Sequence, residues 1–79
     1  MNISYSKTFE KKFATYPKKL QLKIFTAINA IPHGDIKKMR GNDIPPIYRL
    51  RVSKYRVLFY QNDSEIKILK VDSRGDVYK

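Results

Sequence analysis

The most informative absence in this 79-residue sequence is cysteine, which does not occur at all. Neither a disulfide framework nor a cysteine-based metal site can hold the domain together, and packing alone suits a reducing cytoplasm. No apolar run approaches membrane-spanning length, and the N-terminal residues lack the apolar stretch of a secretory signal. We therefore expect a soluble, unprocessed cytoplasmic protein.

Acidic residues are also scarce, since 7 Asp and Glu stand against 17 Lys and Arg, for a formal net charge of +10. So positive a field concentrates polyanions at the surface of a small protein. The length suits one domain, residues 1–79, with a single modest core. The charge favours nucleic acid or a ribosome as partner; a basic surface that only keeps the protein soluble is the alternative.

The first half of the chain predicts a short strand and two helices. The alternating run 2–5 is typical of an edge strand, and Ser6 suits a helix N-cap. Pro17 breaks the first helical pattern and suits the first position of a second helix, which ends at the turn 32–34. The apolar stripes of the two helices are Phe9, Phe13 and Tyr16, then Leu20, Ile24, Ala27, Ile28 and Ile31.

The second half predicts an antiparallel meander. Residues 47–52 and 55–61 alternate with a period of two, and a turn at 62–64 leads to a further strand at 65–72. The segment 36–46 between the halves is interpreted as a long basic loop. The expected fold is α+β, a helical hairpin packed on one face of a small, mainly antiparallel, twisted sheet whose other face stays open.

The register of the first hairpin decides which residues share the open face. A two-residue loop of Ser53 and Lys54 places Arg49, Arg51 and Arg56 together, with Arg51 directly across from Arg56. Like charges so placed cost stability, which indicates an anion between them; a solvated face that merely follows the alternation is the alternative. The core face would hold Tyr48, Leu50, Val52, Tyr55, Val57 and Phe59.

Three segments resemble, in order and spacing, the RelE/ParE toxin superfamily, and especially its RelE-like branch. They are GDIKKMRG (34–41), YRLRVSKYRVLFY (48–60) and ILKVDSRGDVYK (68–79). Because the helical hairpin fits too, the resemblance covers nearly the whole chain. It implies a toxin held inactive by a cognate antitoxin. It also implies cleavage of mRNA in the ribosomal A site, by 2′-hydroxyl attack on the adjacent phosphate, without metal or other cofactor.

The same resemblance assigns roles to individual residues. Arg56 matches the family arginine at the scissile phosphate, Arg74 the one near the leaving group, and Tyr78 the tyrosine that orients or deprotonates the nucleophile. Arg49 and Arg51 stand where the best-known branch has lysines. Because arginine, with a pKa above about 12, is a very poor base, we assign both to phosphate binding.

Other residues are assigned to binding or left open. Lys37, Lys38 and Arg40 form a second basic cluster that we expect to contact the RNA backbone nonspecifically, and Lys54 is added to the substrate contacts. His33 is interpreted as a turn residue. The general base stays open, because the orientation of two nearby acids cannot be fixed from the sequence. These acids are Asp72 and Asp76.

The second helix also carries two apolar residues about opposite its core stripe. Leu22 and Phe25 are candidate antitoxin contacts, with incidental surface residues as the alternative. Since the sequence ends one residue after Tyr78, where several relatives carry a further helix, inhibition is expected to work by covering the site or blocking the ribosome. An inhibitor of DNA gyrase and an inactive nucleic-acid-binding relative are the alternative functions.

Overall fold

The computed structural model describes residues 2–39 and 46–73. The elements are β1 (Asn2–Tyr5), α1 (Lys7–Ala14), α2 (Lys18–Asn29), β2 (Asp35–Lys38), β3 (Ile47–Val52), β4 (Tyr55–Gln61) and β5 (Glu65–Ser73). The strands form one sheet in the order β1-β5-β4-β3-β2. Pairing is antiparallel except between β1 and β5, which run parallel, so the sheet is mixed. The α+β class and the N-terminal edge strand are confirmed.

Ser6 both begins α1 and ties it to the sheet. Its hydroxyl accepts a hydrogen bond from the backbone N–H of Phe9 at 3.0 Å, as the predicted N-cap should, and donates one to the carbonyl of Leu69 in β5. The backbone N–H of Ser6 donates to the carbonyl of Ile68 at 2.9 Å. The start of the helical layer is therefore fixed against β5.

The core lies between the helices and one face of the sheet. Phe9 from α1 and Ile24 and Ile28 from α2 are buried with apolar residues of three strands. The predicted core face of the hairpin is confirmed, with its two tyrosines packed at the margin. The buried strand residues are Leu50, Val52, Val57, Phe59, Ile66, Ile68 and Val71. No helix in ranges 2–39 and 46–73 has the length and apolar character needed to cross a membrane.

The interpretation of 36–46 as a loop is wrong at its start. Asp35–Lys38 forms β2, which pairs antiparallel with β3 and places Ile36 opposite the buried Leu50. Gly34 precedes it with φ of +118°, a conformation that suits glycine, and a Cβ there would lie 3.3 Å from the Leu50 side chain. A strand of four residues with one apolar side chain is too short to show alternation. Residues 40–45 lie outside the described part.

Candidate nucleic-acid interface

The β3–β4 hairpin has the predicted register. Arg51 pairs directly with Arg56, and Arg49 with Leu58. Ser53 opens the two-residue turn with φ of 57°, the positive value that this position takes in type I′ and II′ turns. Because directly paired residues share a face, the three arginines lie together on the face of the sheet that points away from the helices.

Among the described residues, Arg56 is the one charged residue that is buried, with 7% of its surface exposed. Within those ranges its Nε and Nη1 atoms have no hydrogen-bond partner. Asp72 pairs with Arg56 across the sheet, but its carboxylate accepts from the N–H of Ser73 at 2.8 Å and lies 3.8 Å from Lys12 Nζ. Two buried donor atoms without a partner cost stability, and an anion bound there would satisfy them.

Cross-strand pairing arranges the open face in three rows, which we name by order from the β3–β4 turn. Each row runs perpendicular to the strands, so side chains in one row are neighbours. In row one two arginines lie between two aspartates, row two contains three cations and no acid, and row three contains an aromatic ring. Row one is Asp35, Arg51, Arg56 and Asp72; row two is Lys37, Arg49, Leu58 and Lys70; row three is Ile47, Tyr60, Lys67 and Ser4.

Sequence reasoning missed two cations of these rows, Lys67 and Lys70. They are three residues apart, so strict alternation would place them on opposite faces. Leu69 is an extra residue at a register shift in β5, and this bulge returns both lysines to the open face. The available signal was the apolar spacing, which changes from two residues before Ile68 to three between Ile68 and Val71.

The structure separates the residues of the predicted basic cluster. Lys37 pairs with Arg49 and joins the open face, whereas Lys38 pairs with Tyr48 and belongs to the helix side of the sheet edge. Lys54 lies in the hairpin turn, with its Nζ 5.6 Å from the ring centre of the following tyrosine. Three predicted site residues and one candidate acid lie outside the described residues, namely Arg40, Arg74, Tyr78 and Asp76.

The helical layer carries an apolar groove on the opposite side of the molecule. Leu22 is 67% exposed and Phe25 48%, and both line the groove together with Phe13, Lys18 and Gln21. Its volume is about 410 Å³. Large apolar side chains gathered in this way mark interaction surfaces more often than isolated ones do. The two residues predicted as antitoxin contacts therefore share one groove.

Tyr16 lies on the helix side, with its ring 5.2 Å from that of Tyr55. Its hydroxyl is buried and has no hydrogen-bond partner among the described residues. Burial raises the pKa of Tyr16 to about 12, and Asp72 and Tyr55 add to the shift. Tyr16 therefore keeps its proton at neutral pH.

Within residues 2–39 and 46–73, no group of three or more His, Asp or Glu side chains is placed to hold a metal.

Replacing Tyr16 by Phe should leave the protein at least as stable at pH 7, by up to about 1 kcal/mol, because it removes an unsatisfied buried hydroxyl. The wild type should also lose stability as the pH rises from 10 towards 12. The folded-state pKa of Tyr16 lies above its ordinary value of 10.0, so the unfolded chain gives up this proton more readily than the folded protein does. Urea unfolding at pH 7 and from pH 10 to 12 measures both effects. Tyr60→Phe is the control and should lose as much stability between pH 10 and 12 as the wild type. The idea fails if Tyr16→Phe loses that much as well.

The chain has a small α+β fold, with two helices over one face of a five-stranded mixed sheet and a basic opposite face. Solved structures share this fold. No family sequence model and no curated protein sequence matches this chain. A chain of the archaeal RelE–RelB complex from Pyrococcus horikoshii is 26% identical, with a TM-score of 0.77 over 95% of this chain and 96% of that one. A chain of the RelB–RelE antitoxin–toxin complex from Methanococcus jannaschii is 30% identical, with a TM-score of 0.67 over 94% and 93%.

The fold is also that of the YoeB dimer from Staphylococcus aureus, at 22% identity and a TM-score of 0.71 over 89% of this chain and 92% of that one. Each of these structures matches nearly the whole of this chain with the same fold, and the chain from Methanococcus jannaschii is 30% identical in sequence. The chain belongs to the RelE toxin superfamily.

Proposed function

We propose that this protein is the toxin of a type II toxin–antitoxin pair and that it cuts messenger RNA on the ribosome, in the cytoplasm. The observation that carries the proposal is the buried Arg56, whose guanidinium has no hydrogen-bond partner at two nitrogens within the described residues. Its neighbour in row one is the exposed Arg51. Two arginines on one face bind a phosphodiester well, because each offers a fork of donors to its oxygens.

The reaction is an internal transfer at phosphorus. The 2′-hydroxyl of one nucleotide loses its proton and attacks the adjacent phosphate, the bond from phosphorus to the 5′-oxygen breaks, and that oxygen takes up a proton. The products are a 2′,3′-cyclic phosphate and a 5′-hydroxyl. Negative charge builds on the phosphate oxygens in the transition state, and fixed donors in a partly buried site stabilise that charge strongly. No step in this scheme requires a metal ion.

Each role falls to a residue of the open face or of the following segment. Arg56 binds the scissile phosphate, while Arg49 and Arg51 hold the phosphates around it and align the nucleophile. Arg74 stabilises the leaving oxygen and Tyr78 orients or deprotonates the 2′-hydroxyl, as the family resemblance assigns them. The arginines supply charge and position, so proton transfer depends on another group.

The decisive test is primer extension on a defined message after induction of the protein, together with the same reaction on purified ribosomes. New 5′ ends within the translated region are expected, and only when ribosomes are present. If the message stays intact in both assays and the protein blocks supercoiling by purified gyrase, the nuclease proposal is wrong and the protein is a gyrase inhibitor.

The antitoxin is proposed to cover the groove that contains Leu22 and Phe25. The similar chain from Pyrococcus horikoshii is part of a RelE–RelB complex, and that from Methanococcus jannaschii is part of an antitoxin–toxin complex. Leu22→Asp should weaken the purified complex about 30-fold or more, as loss of a central apolar contact does, while cleavage stays unchanged. Lys23→Asp makes a larger charge change about 100° around the helix and is the matched control. Equal affinities of Leu22→Asp and wild type for the antitoxin would contradict this assignment.

A further inference from the structure

A groove that contains three lysines lies beside the part of β5 that β1 does not pair with in the described residues. Strand β1 pairs with β5 only from Glu65 to Ile68, so the rest of β5 forms a sheet edge that α1 approaches. The groove between them has a volume of about 460 Å³. Five of its lining residues carry an ammonium or a hydroxyl group, namely Thr8, Lys11, Lys12, Thr15 and Lys70.

We propose that this groove binds a phosphate of the RNA backbone that continues beyond the arginines, an inference that rests on the proposed function of the open face. Three lysines and one aspartate leave the groove positive. Asp72 lies 3.8 Å from Lys12 Nζ, so this acid is already engaged. Lys11 and Lys70 form no salt bridge within the described residues. Within the described part of the chain their ammonium groups are therefore available to an anion.

The groove is continuous with the arginine rows. Asp72, which lines it, pairs directly with Arg56, and Lys70 belongs to row two with Arg49. Neighbouring strands lie about 4.8 Å apart and alternate residues about 7 Å apart, so the Cα atoms of Lys70 and Arg56 are separated by roughly 8 Å. One extended strand of nucleic acid can therefore contact both groups with phosphates that are close in sequence.

Phosphate is the ligand that this chemistry fits. Lysine binds phosphate as a point charge on a flexible stem, which suits contact with a backbone of variable sequence. The described residues that line the groove include no arginine and no aromatic ring for reading a base, so the groove positions the strand without specifying its sequence. Message and ribosomal RNA present the same phosphate, and experiment distinguishes them.

The test compares the variant Lys11→Gln/Lys70→Gln with Lys19→Gln/Lys23→Gln, which removes the same charge from exposed positions of α2 outside the groove. Lys12 stays, so that Asp72 keeps its partner. Binding to a short 2′-O-methylated single-stranded RNA and to empty ribosomes is measured across a salt series. Loss of this phosphate contact should weaken binding to at least one probe about tenfold and make the salt slope for the single-stranded RNA shallower by about 0.7.

Each outcome decides the question. A loss confined to the oligonucleotide identifies the message as the source of the phosphate, and a loss confined to ribosomes identifies ribosomal RNA. Three results would each overturn the proposal. They are unchanged affinity and salt slope for both probes, an equal loss of affinity in the control variant, and a loss that affects binding of the purified antitoxin but neither RNA probe. Neither probe is cut, so these results stand apart from the test of the nuclease. If that function holds, the KM for cleavage of ribosome-bound message rises as well.

Discussion

Arg56→Met should cleave ribosome-bound message at least about a hundredfold more slowly than the wild type, while the protein folds at least as stably. The loss follows because the donor fork at the phosphate disappears when charge develops in the transition state. The gain in stability follows because the native guanidinium is buried without a partner for two of its nitrogens in the described residues, whereas a methionine side chain of similar length packs there without that cost.

Two companion variants make this result specific. Arg51→Met removes the exposed arginine directly opposite and should cost much less than Arg56→Met, because that side chain is solvated. Arg56→Lys keeps the charge but loses the planar fork, so its rate should lie between those of Arg56→Met and the wild type. Single-turnover cleavage and thermal unfolding measure the two properties separately. A folded Arg56→Met protein that cuts at the wild-type rate would remove the basis of the proposed function.

Tyr78→Phe should lower the rate of cleavage by about two to four orders of magnitude, the range for loss of a group that transfers a proton. The other candidates are poorly suited. Arginine side chains offer donors and no acceptor. Tyr16 lies on the helix side with a pKa raised to about 12, and Asp72 accepts from a backbone N–H and lies close to Lys12. The variant keeps the aromatic ring and deletes only the hydroxyl.

Asp72→Asn is the matched comparison, since it removes the candidate carboxylate from row one. We expect a small change in rate and no change in the shape of the pH–rate profile. If instead Asp72→Asn loses the acidic limb of that profile and Tyr78→Phe cuts normally, the base is Asp72 and the role given to Tyr78 is wrong. Circular dichroism of both variants establishes that they are folded.

The parts of the fold that the sequence predicts are those fixed by local rules. The register of the hairpin follows from a two-residue turn and from alternation, so the pairing of Arg51 with Arg56 follows from the order of the residues alone. The start of α1 at Ser6 likewise depends on a hydrogen bond three residues away. Such features need no knowledge of distant partners.

The parts that could not be predicted depend on distant partners. β2 exists because β3 offers it an edge, and the positions of Lys67 and Lys70 depend on the bulge at Leu69. Alternation placed Arg56 on the open face correctly but carried no information about its depth in the structure. The burial of that guanidinium, which carries the functional proposal, is a tertiary property.

The parallel pairing of β1 with β5 also has a consequence for biosynthesis. The hydroxyl of Ser6 reaches the carbonyl of Leu69, across 63 positions of sequence, and β1 has its strand partner only when β5 is present. Contacts so distant in sequence form late in folding. At about 5–20 residues per second, translation takes several seconds to pass from one to the other. A nascent chain therefore holds the β3–β4 arginines before it has the strand that completes rows one and two, so the open face gains its full set of cations only after β5 has been made.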